Sequence, residues 1–293
     1  MIRLFLSAIA ALTLTAATPP KPQTAADILK AARPEEWQRV DPADLMVIDL
    51  ADGGRVALAL APAMAPIHVA NIRALVRAHW FDRGSVYRVQ DNYVVQWGQG
   101  DEDKAPPQGF GKPFPAEYDR PAAGLPLMPL PYRDTFAARV GYSGAFPVAE
   151  EGGRAWMTHC YGIVGVSRGY APDTGSGGEL YAVIGHSPRH LDRNIAVVGR
   201  VLDGFDHMTA LPRGTGNLGF YEKPEQRAGI VRVSLAADLP TGDRPAYEWL
   251  RPDSASFARW LHLRANRQDA FFTRPAGAID LCNAMPPVRP VNE

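Results

Sequence analysis

Arg88, Tyr93, Val94 and Gln96 are the residues of this chain best suited to chemistry, and they fall in one short stretch, FDRGSVYRVQDNYVVQWG, residues 81–98. Arginine stays protonated and holds its donors in a rigid fork. Tyr93 and Val94 offer an apolar wall, and the Gln96 amide both donates and accepts. No nucleophile stands among them. One cation, one greasy surface and one amide suit a reaction that needs no covalent intermediate. Taken singly, an arginine on an alternating strand is most often a solvated edge residue, and Tyr93 and Val94 alone would be core. The case rests on the ensemble.

The elements that must position this set follow from the pattern. Tyr87-Arg88-Val89 and Tyr93 to Gln96 read as a hairpin across a turn at Asp91-Asn92. Leu45 to Leu50 and Val56 to Leu60 are strands joined by Asp52-Gly53-Gly54, strong hairpin chemistry. Pro66 suits a helix start, and Val69, Ile72, Leu75 and Val76 recur at helical spacing towards Trp80. Residues 101–159 are crowded with proline and glycine and lack periodicity, which predicts long loops with occasional short strands. Strands are expected at Gly162 to Ser167, Leu180 to Gly185, Ile195 to Leu202 and Ile230 to Leu235, with a short helix from Asp206 to Leu211. A linker with a short helix at Ala25 to Ala32 fills 18–37. Beyond residue 237 an extension carries a helix capped by Asp253 or Ser254, with Phe257, Trp260 and Leu261 on one side. It either packs for stability or docks a partner.

Composition bounds the class. Of 293 residues, 46% are apolar and 21% charged, with 31 basic and 31 acidic side chains, which gives no electrostatic case for nucleic acid or an acidic membrane surface. Proline and glycine, 27 each, favour a loop-rich β architecture. Arg3, the apolar run Leu4 to Leu14 and the small residues Thr15-Ala16-Ala17 read as a signal peptide over 1–17, the run being too short to span a bilayer comfortably. A short membrane anchor is the alternative. Cleavage leaves no stable membrane insertion and a periplasmic or secreted protein. In an oxidising compartment the two cysteines, Cys160 and Cys282, either form a disulfide that pins the tail to the middle of the chain or remain separate buried thiols.

The stretch around Arg88 resembles the signature of cyclophilins, the prolyl isomerases, through Phe81, Arg88, Gln96 and Gly98. Two further blocks are similar to the family: GIVGVSRGYAPDTGSGGELYAVIG (162–185) and HLDRNIAVVGRVLDG (190–204). The resemblance covers about residues 40 to 235. It implies a mainly β fold, a closed antiparallel β-barrel with flanking helices over 38–236, a long loop insertion at about 101–159, and a C-terminal extension over 237–293. It implies isomerisation of X-Pro bonds in exported polypeptides, with Arg88 as electrostatic catalyst and Gln96 as its catalytic companion, positioning the substrate backbone. Tyr93, Val94, Tyr181 and Leu191 would hold the proline ring, Glu179 would position the substrate backbone, and Ser167 and Arg168 would line the groove. Tyr87 and His190 also join the expected substrate-binding set. The partners implied are proline-containing peptides or unfolded exported proteins, without a cofactor or metal.

The chemistry fits. A prolyl amide rotates over a barrier of about 18–20 kcal/mol, and catalysis requires binding the twisted form better than either planar one. On twisting, the nitrogen lone pair becomes an acceptor for a fixed donor. The chain also departs from the family: Tyr87 and Tyr93 stand for histidine and phenylalanine, Arg168 for asparagine, Glu179 for glutamine and Ile195 for a groove histidine. Glu179 is expected to pair with Arg88 or Arg168. His190 occupies the region of the usual cyclosporin-contacting tryptophan, which implies weak inhibition by that drug.

Other motifs weigh less. Asp173-Thr174-Gly175 spells an aspartic-protease triplet, but Ala171-Pro172 precede it and no second copy occurs. His186, His190, Asp192 and His159 lack the ordered spacing of a metal site, since Pro188 breaks any helix aligning them. No GxSxG elbow is present. The rival from another class is a proline-peptide-binding chaperone or scaffold module with little or no turnover.

Overall fold

The computed structural model describes residues 23–100, 114–269 and 271–291. The expected signal peptide and the first part of the expected insertion, 101–113, lie outside the described residues. Elements run α1 (Ala25–Ala31), β1 (Trp37–Arg39), β2 (Leu45–Leu50), β3 (Arg55–Leu60), α2 (Pro66–Arg77), β4 (Ser85–Val89) and β5 (Val94–Gly98). Next come β6 (Arg120–Pro121), β7 (Met128–Pro129), β8 (Arg139–Ser143), β9 (Phe146–Glu151), β10 (Arg154–Met157), β11 (Ile163–Val166) and β12 (Leu180–Val183). The chain ends with β13 (Val197–Asp203), α3 (Asp206–Thr209), β14 (Ala228–Leu235), β15 (Tyr247–Leu250), α4 (Ala255–Ala265) and β16 (Val288–Pro290).

Eight antiparallel strands close into a barrel in the order β11-β12-β5-β4-β14-β2-β3-β13. Period-two alternation sorts the faces. Met46, Ile48 and Leu50 of β2 and Val56, Leu58 and Leu60 of β3 fill the interior. Leu45, Ala57 and Ala59 face outwards beneath Tyr247 and Trp249. Both faces are buried, so these strands read as apolar runs, and the small alanines let a second layer approach. The β2–β3 turn forms as its residues dictate: Gly53 adopts φ +89°, and the Gly54 N–H donates to Asp52 Oδ1 at 2.8 Å. Helix α2 packs Val69, Ile72, Leu75 and Val76 into the barrel core. Its first turn has no side-chain cap of its own. Glu117 supplies one, accepting from the Ile67 and His68 N–H groups at 2.9 and 2.8 Å.

The expectation of loops over 101–159 fails for the part described. Strands β6-β10-β9-β8-β7 form a five-stranded antiparallel sheet. Gly152-Gly153, both at positive φ, make the β9–β10 turn, and the proline and glycine that masked periodicity are turn residues of a meander. This sheet, α1, α4 and the tail share a second core around Tyr142, Trp156, Phe257 and Trp260. The C-terminal extension therefore packs on both layers, on the insertion through Phe257 and Trp260 and directly on the barrel through Tyr247 and Trp249. Cys160 and Cys282 are disulfide-bonded, tying the tail to the end of β10. Among the described residues no helix is long and apolar enough to cross a membrane.

Candidate active site

Strand register builds the site. Arg88 of β4 lies opposite Gln96 of β5, Gln96 opposite Tyr181 of β12, and Tyr181 opposite Gly165 of β11. The four form one transverse row on the outer face of the barrel. Their neighbours Val95, Trp97, Leu180 and Ala182 point inward to the core, while Val94, Tyr181 and Val183 form a separate outer cluster with Tyr93 and Ile195 packed against it. Gly165 has to be glycine: a Cβ there would stand 2.3 Å from the Tyr181 hydroxyl.

Arg88 is clamped on three sides. Nε donates to the Leu218 carbonyl at 2.8 Å, one terminal nitrogen to Gln96 Oε1 at 3.0 Å, and the other to Gln90 Oε1. Its guanidinium carbon lies 5.1 Å from the Phe220 ring centre and 6.0 Å from that of Tyr93. Burial draws its pKa below the ordinary value, with Tyr93 and Tyr87 opposing, and the group stays charged at neutral pH. Gln96 is buried, and its Nε2 donates to the Tyr87 hydroxyl at 2.5 Å and to Ser167 Oγ at 2.8 Å. Both ends of the amide are thus fixed, and the oxygen has to face Arg88.

A cleft of about 370 Å³ opens over this row. Of the expected residues, Arg88, Tyr93, Val94, Gln96, Ser167, Arg168, Tyr181 and Leu191 line it. Val166, Gly169, Tyr170 and Ile195 complete the lining. Tyr170, 97% exposed on the rim, carried no periodic signal; it sits in the glycine-rich loop between β11 and β12. Arg168 is held by its own loop and by the segment before β13, donating to the Gly169 and Asn194 carbonyls at 2.7 and 3.0 Å.

Three expected groove residues lie elsewhere. Glu179 precedes β12 and lies over Gly98, away from the cleft, where its Oε1 accepts the Gln99 N–H at 3.0 Å. It pairs with neither Arg88 nor Arg168. This placement is possible because Gly98 lacks a Cβ, which would meet the Glu179 carboxylate at 2.0 Å. Burial raises the Glu179 pKa above its ordinary value, against the opposing pull of Tyr87 and the Gln99 and Gly100 amides. Tyr87 falls at a bulge where the β4–β5 register shifts between Val86 and Arg88, so it is buried, 7% exposed, stacked on Phe220, and backs Gln96 instead of lining the cleft. Its phenol is raised well above its usual range by burial and by Glu179. His190 is exposed beside the cleft, its ring parallel to Tyr93 at 6.5 Å. Asp192 is occupied by His159 and Arg189. Among the described residues no group of His, Cys, Asp or Glu is arranged to hold a metal ion.

A closed eight-stranded barrel with this row and cleft on its outer face is the arrangement of a known class. A family model described as cyclophilin type peptidyl-prolyl cis-trans isomerase/CLD matches residues 45–235. The chain belongs to the cyclophilin family of peptidyl-prolyl cis-trans isomerases. Proteins named "Probable peptidyl-prolyl cis-trans isomerase" from Brucella suis biovar 1 (strain 1330) and Brucella abortus (strain 2308) are each 27% identical over 205 residues, covering 68% of this chain and 85% of the relative. In fold, the chain is similar to the crystal structure of cyclophilin AquaCyp293 from Hirschia baltica, with a TM-score of 0.66 at 23% identity over 87% of this chain and 97% of that one. That likeness in fold reaches past the family-matched segment.

Proposed function

We propose that this isomerase acts on X-Pro bonds of exported polypeptides by electrostatic stabilisation of the twisted imide, with no covalent intermediate. The observation that carries the reading is the row Arg88–Gln96–Tyr181 beneath one cleft. A guanidinium has five N–H donors. Among the described residues Leu218, Gln96 and Gln90 engage three, which leaves two for a substrate. Arg88 then meets the pyramidal imide nitrogen as its lone pair localises, an interaction absent from both planar forms. Tyr93, Val94, Tyr181 and Leu191 grip the proline ring, so the bond rotates while the ring stays seated. Ser167, Arg168 and Tyr170 border the flanking peptide. Gln96 keeps Arg88 in register, Tyr87 accepts from the Gln96 amide, and Glu179 lies beside Tyr87.

The signal-like composition of residues 1–17 supports the exported-substrate part of this reading, as does the Cys160–Cys282 disulfide, a bond that persists in oxidising compartments. A protease-coupled assay on a short Ala-Pro-Phe peptide tests the function. Turnover by the wild type that is abolished in Arg88→Ala supports it. Peptide binding without turnover in the wild type would make the protein a proline-binding chaperone or scaffold instead.

A further inference from the structure

Tyr181 forms the inner wall of the cleft, yet its hydroxyl leaves the cleft altogether. It crosses β11 where Gly165 provides no side chain and ends 2.8 Å from Nε2 of His159. The His159 ring is fully buried and lies nearly parallel to the Tyr181 ring, 6.2 Å between centres at 6°. His159 Nδ1 is 2.9 Å from Asp192 Oδ1, which also accepts the His159 backbone N–H at 3.0 Å. Asp192 is fixed in turn: Arg189 Nε donates to it at 2.5 Å and Trp156 Nε1 at 3.3 Å. Arg189 forks onto Asp134 at 3.0 and 3.2 Å. Burial pushes the Asp192 carboxyl up, but the bonds from His159 and Arg189 outweigh it and hold the carboxyl below its ordinary value. An ionised Asp192 takes the Nδ1–H, so Nε2 faces Tyr181 as acceptor and the tyrosine O–H donates.

The origin of these groups matters. His159, Trp156 and Asp134 all come from the inserted layer, and Cys160, next to His159, is bonded to the C-terminal tail. A wall of the barrel's cleft is therefore set by parts of the chain outside the barrel.

We infer that His159 is a positioning residue for the prolyl pocket: through Nε2 it fixes the tilt and depth of the Tyr181 ring and so sets the affinity for prolyl peptides. This rests on the proposed function, in which Tyr181 holds the proline ring. The ring contacts Tyr181 alike in the cis, trans and twisted forms, so His159 acts on uniform binding. Its loss falls on KM and not on kcat.

The test compares wild type, His159→Phe, His159→Gln, Tyr181→Phe and the double variant His159→Phe/Tyr181→Phe. Peptide Kd is read by NMR titration with an Ala-Pro-Phe peptide, turnover by catalysed cis–trans exchange, and folding by Tm. His159→Phe and Tyr181→Phe should each weaken peptide binding about three- to tenfold, the worth of one buried hydrogen bond, and in His159→Phe the loss should fall on KM with kcat changed by no more than about twofold. The double variant should be no weaker than either single one, and His159→Gln should recover part of the loss. Wild-type affinity in folded Tyr181→Phe would overturn the inference, as would multiplicative losses in the double variant or a loss confined to kcat. Should His159→Phe fail to fold, Tyr181→Phe alone decides by the same criterion. Absence of turnover in the wild type would instead defeat the proposed function, and the Kd series would still decide the role of His159.

Discussion

Replacing Arg88 by lysine separates a positioned fork from a mere positive charge. The guanidinium reaches Leu218 O at 2.8 Å, Gln96 Oε1 at 3.0 Å and Gln90 Oε1 from three different nitrogens while lying 5.1 Å from the centre of Phe220. A lysine has one nitrogen on a flexible four-carbon stem and cannot serve those directions together. Its ammonium would settle on Leu218 O or Gln96 and point away from the imide nitrogen. A charge-assisted hydrogen bond is worth about 1.5–3 kcal/mol, and losing it only in the transition state lowers kcat about 10- to 150-fold. The loss of stability should be small, because the forfeited contact with Phe220 is a partly exposed cation–π pair of about 0.5–1 kcal/mol. That corresponds to a Tm drop of about 1–4 °C. The assay is protease-coupled turnover beside thermal melting. An Arg88→Lys protein that stays folded and keeps kcat/KM within about threefold of wild type would refute the positioned-donor reasoning.

Glu179→Gln should raise stability as pH increases. The folded carboxyl has a pKa above its ordinary 4.5, so it binds its proton more tightly folded than unfolded. The stabilisation it gives is present below 4.5 and is lost as pH rises through the folded pKa. Urea midpoints of the two proteins should therefore coincide in acid and diverge as pH rises, with Glu179→Gln the more stable at alkaline pH; parallel curves would contradict this. Glu36 behaves oppositely. Held by the Arg33 amide first and the Ser256 amide second, its pKa falls to about 2, so its contribution is present above 4.5 and is lost as pH falls through about 2. Glu36→Gln should be destabilised at pH 7, with the deficit shrinking in acid; a deficit independent of pH would contradict that. Cys282→Ser should cost about 2–4 kcal/mol, since the lost bond closes a long loop. Unchanged unfolding midpoints, with and without reductant, would exclude a stabilising bridge.

The barrel was legible where one period dominated. Val69, Ile72, Leu75 and Val76 gave α2, and the Asp52-Gly53-Gly54 turn gave the β2–β3 hairpin, because local chemistry and tertiary packing agree there. Ser254 capped α4 as its type suggests, accepting from the Phe257 N–H at 3.0 Å. The sheet β6–β10 was not legible as a whole, since short strands rich in proline and glycine carry little alternation. Gly152-Gly153 between FPVAEE and RAWM was the available hairpin signal. In the site, strand pairing made Arg88, Gln96 and Tyr181 readable. Glu179 and Tyr87 were not, because one side-chain direction depends on a space left by Gly98 and the other on a bulge. The layer behind Tyr181 was hidden for a different reason: His159 and Asp192 meet across 33 residues of sequence, and no spacing rule connects them.

Magnetisation-exchange NMR on a proline peptide with a catalytic amount of wild-type protein tests the central claim most directly. The account predicts that cis and trans resonances, which exchange over tens to hundreds of seconds unaided, will exchange within seconds or faster, with shifts at Tyr181 and Leu191 on peptide addition. Shifts at those residues with the exchange rate unchanged would contradict it.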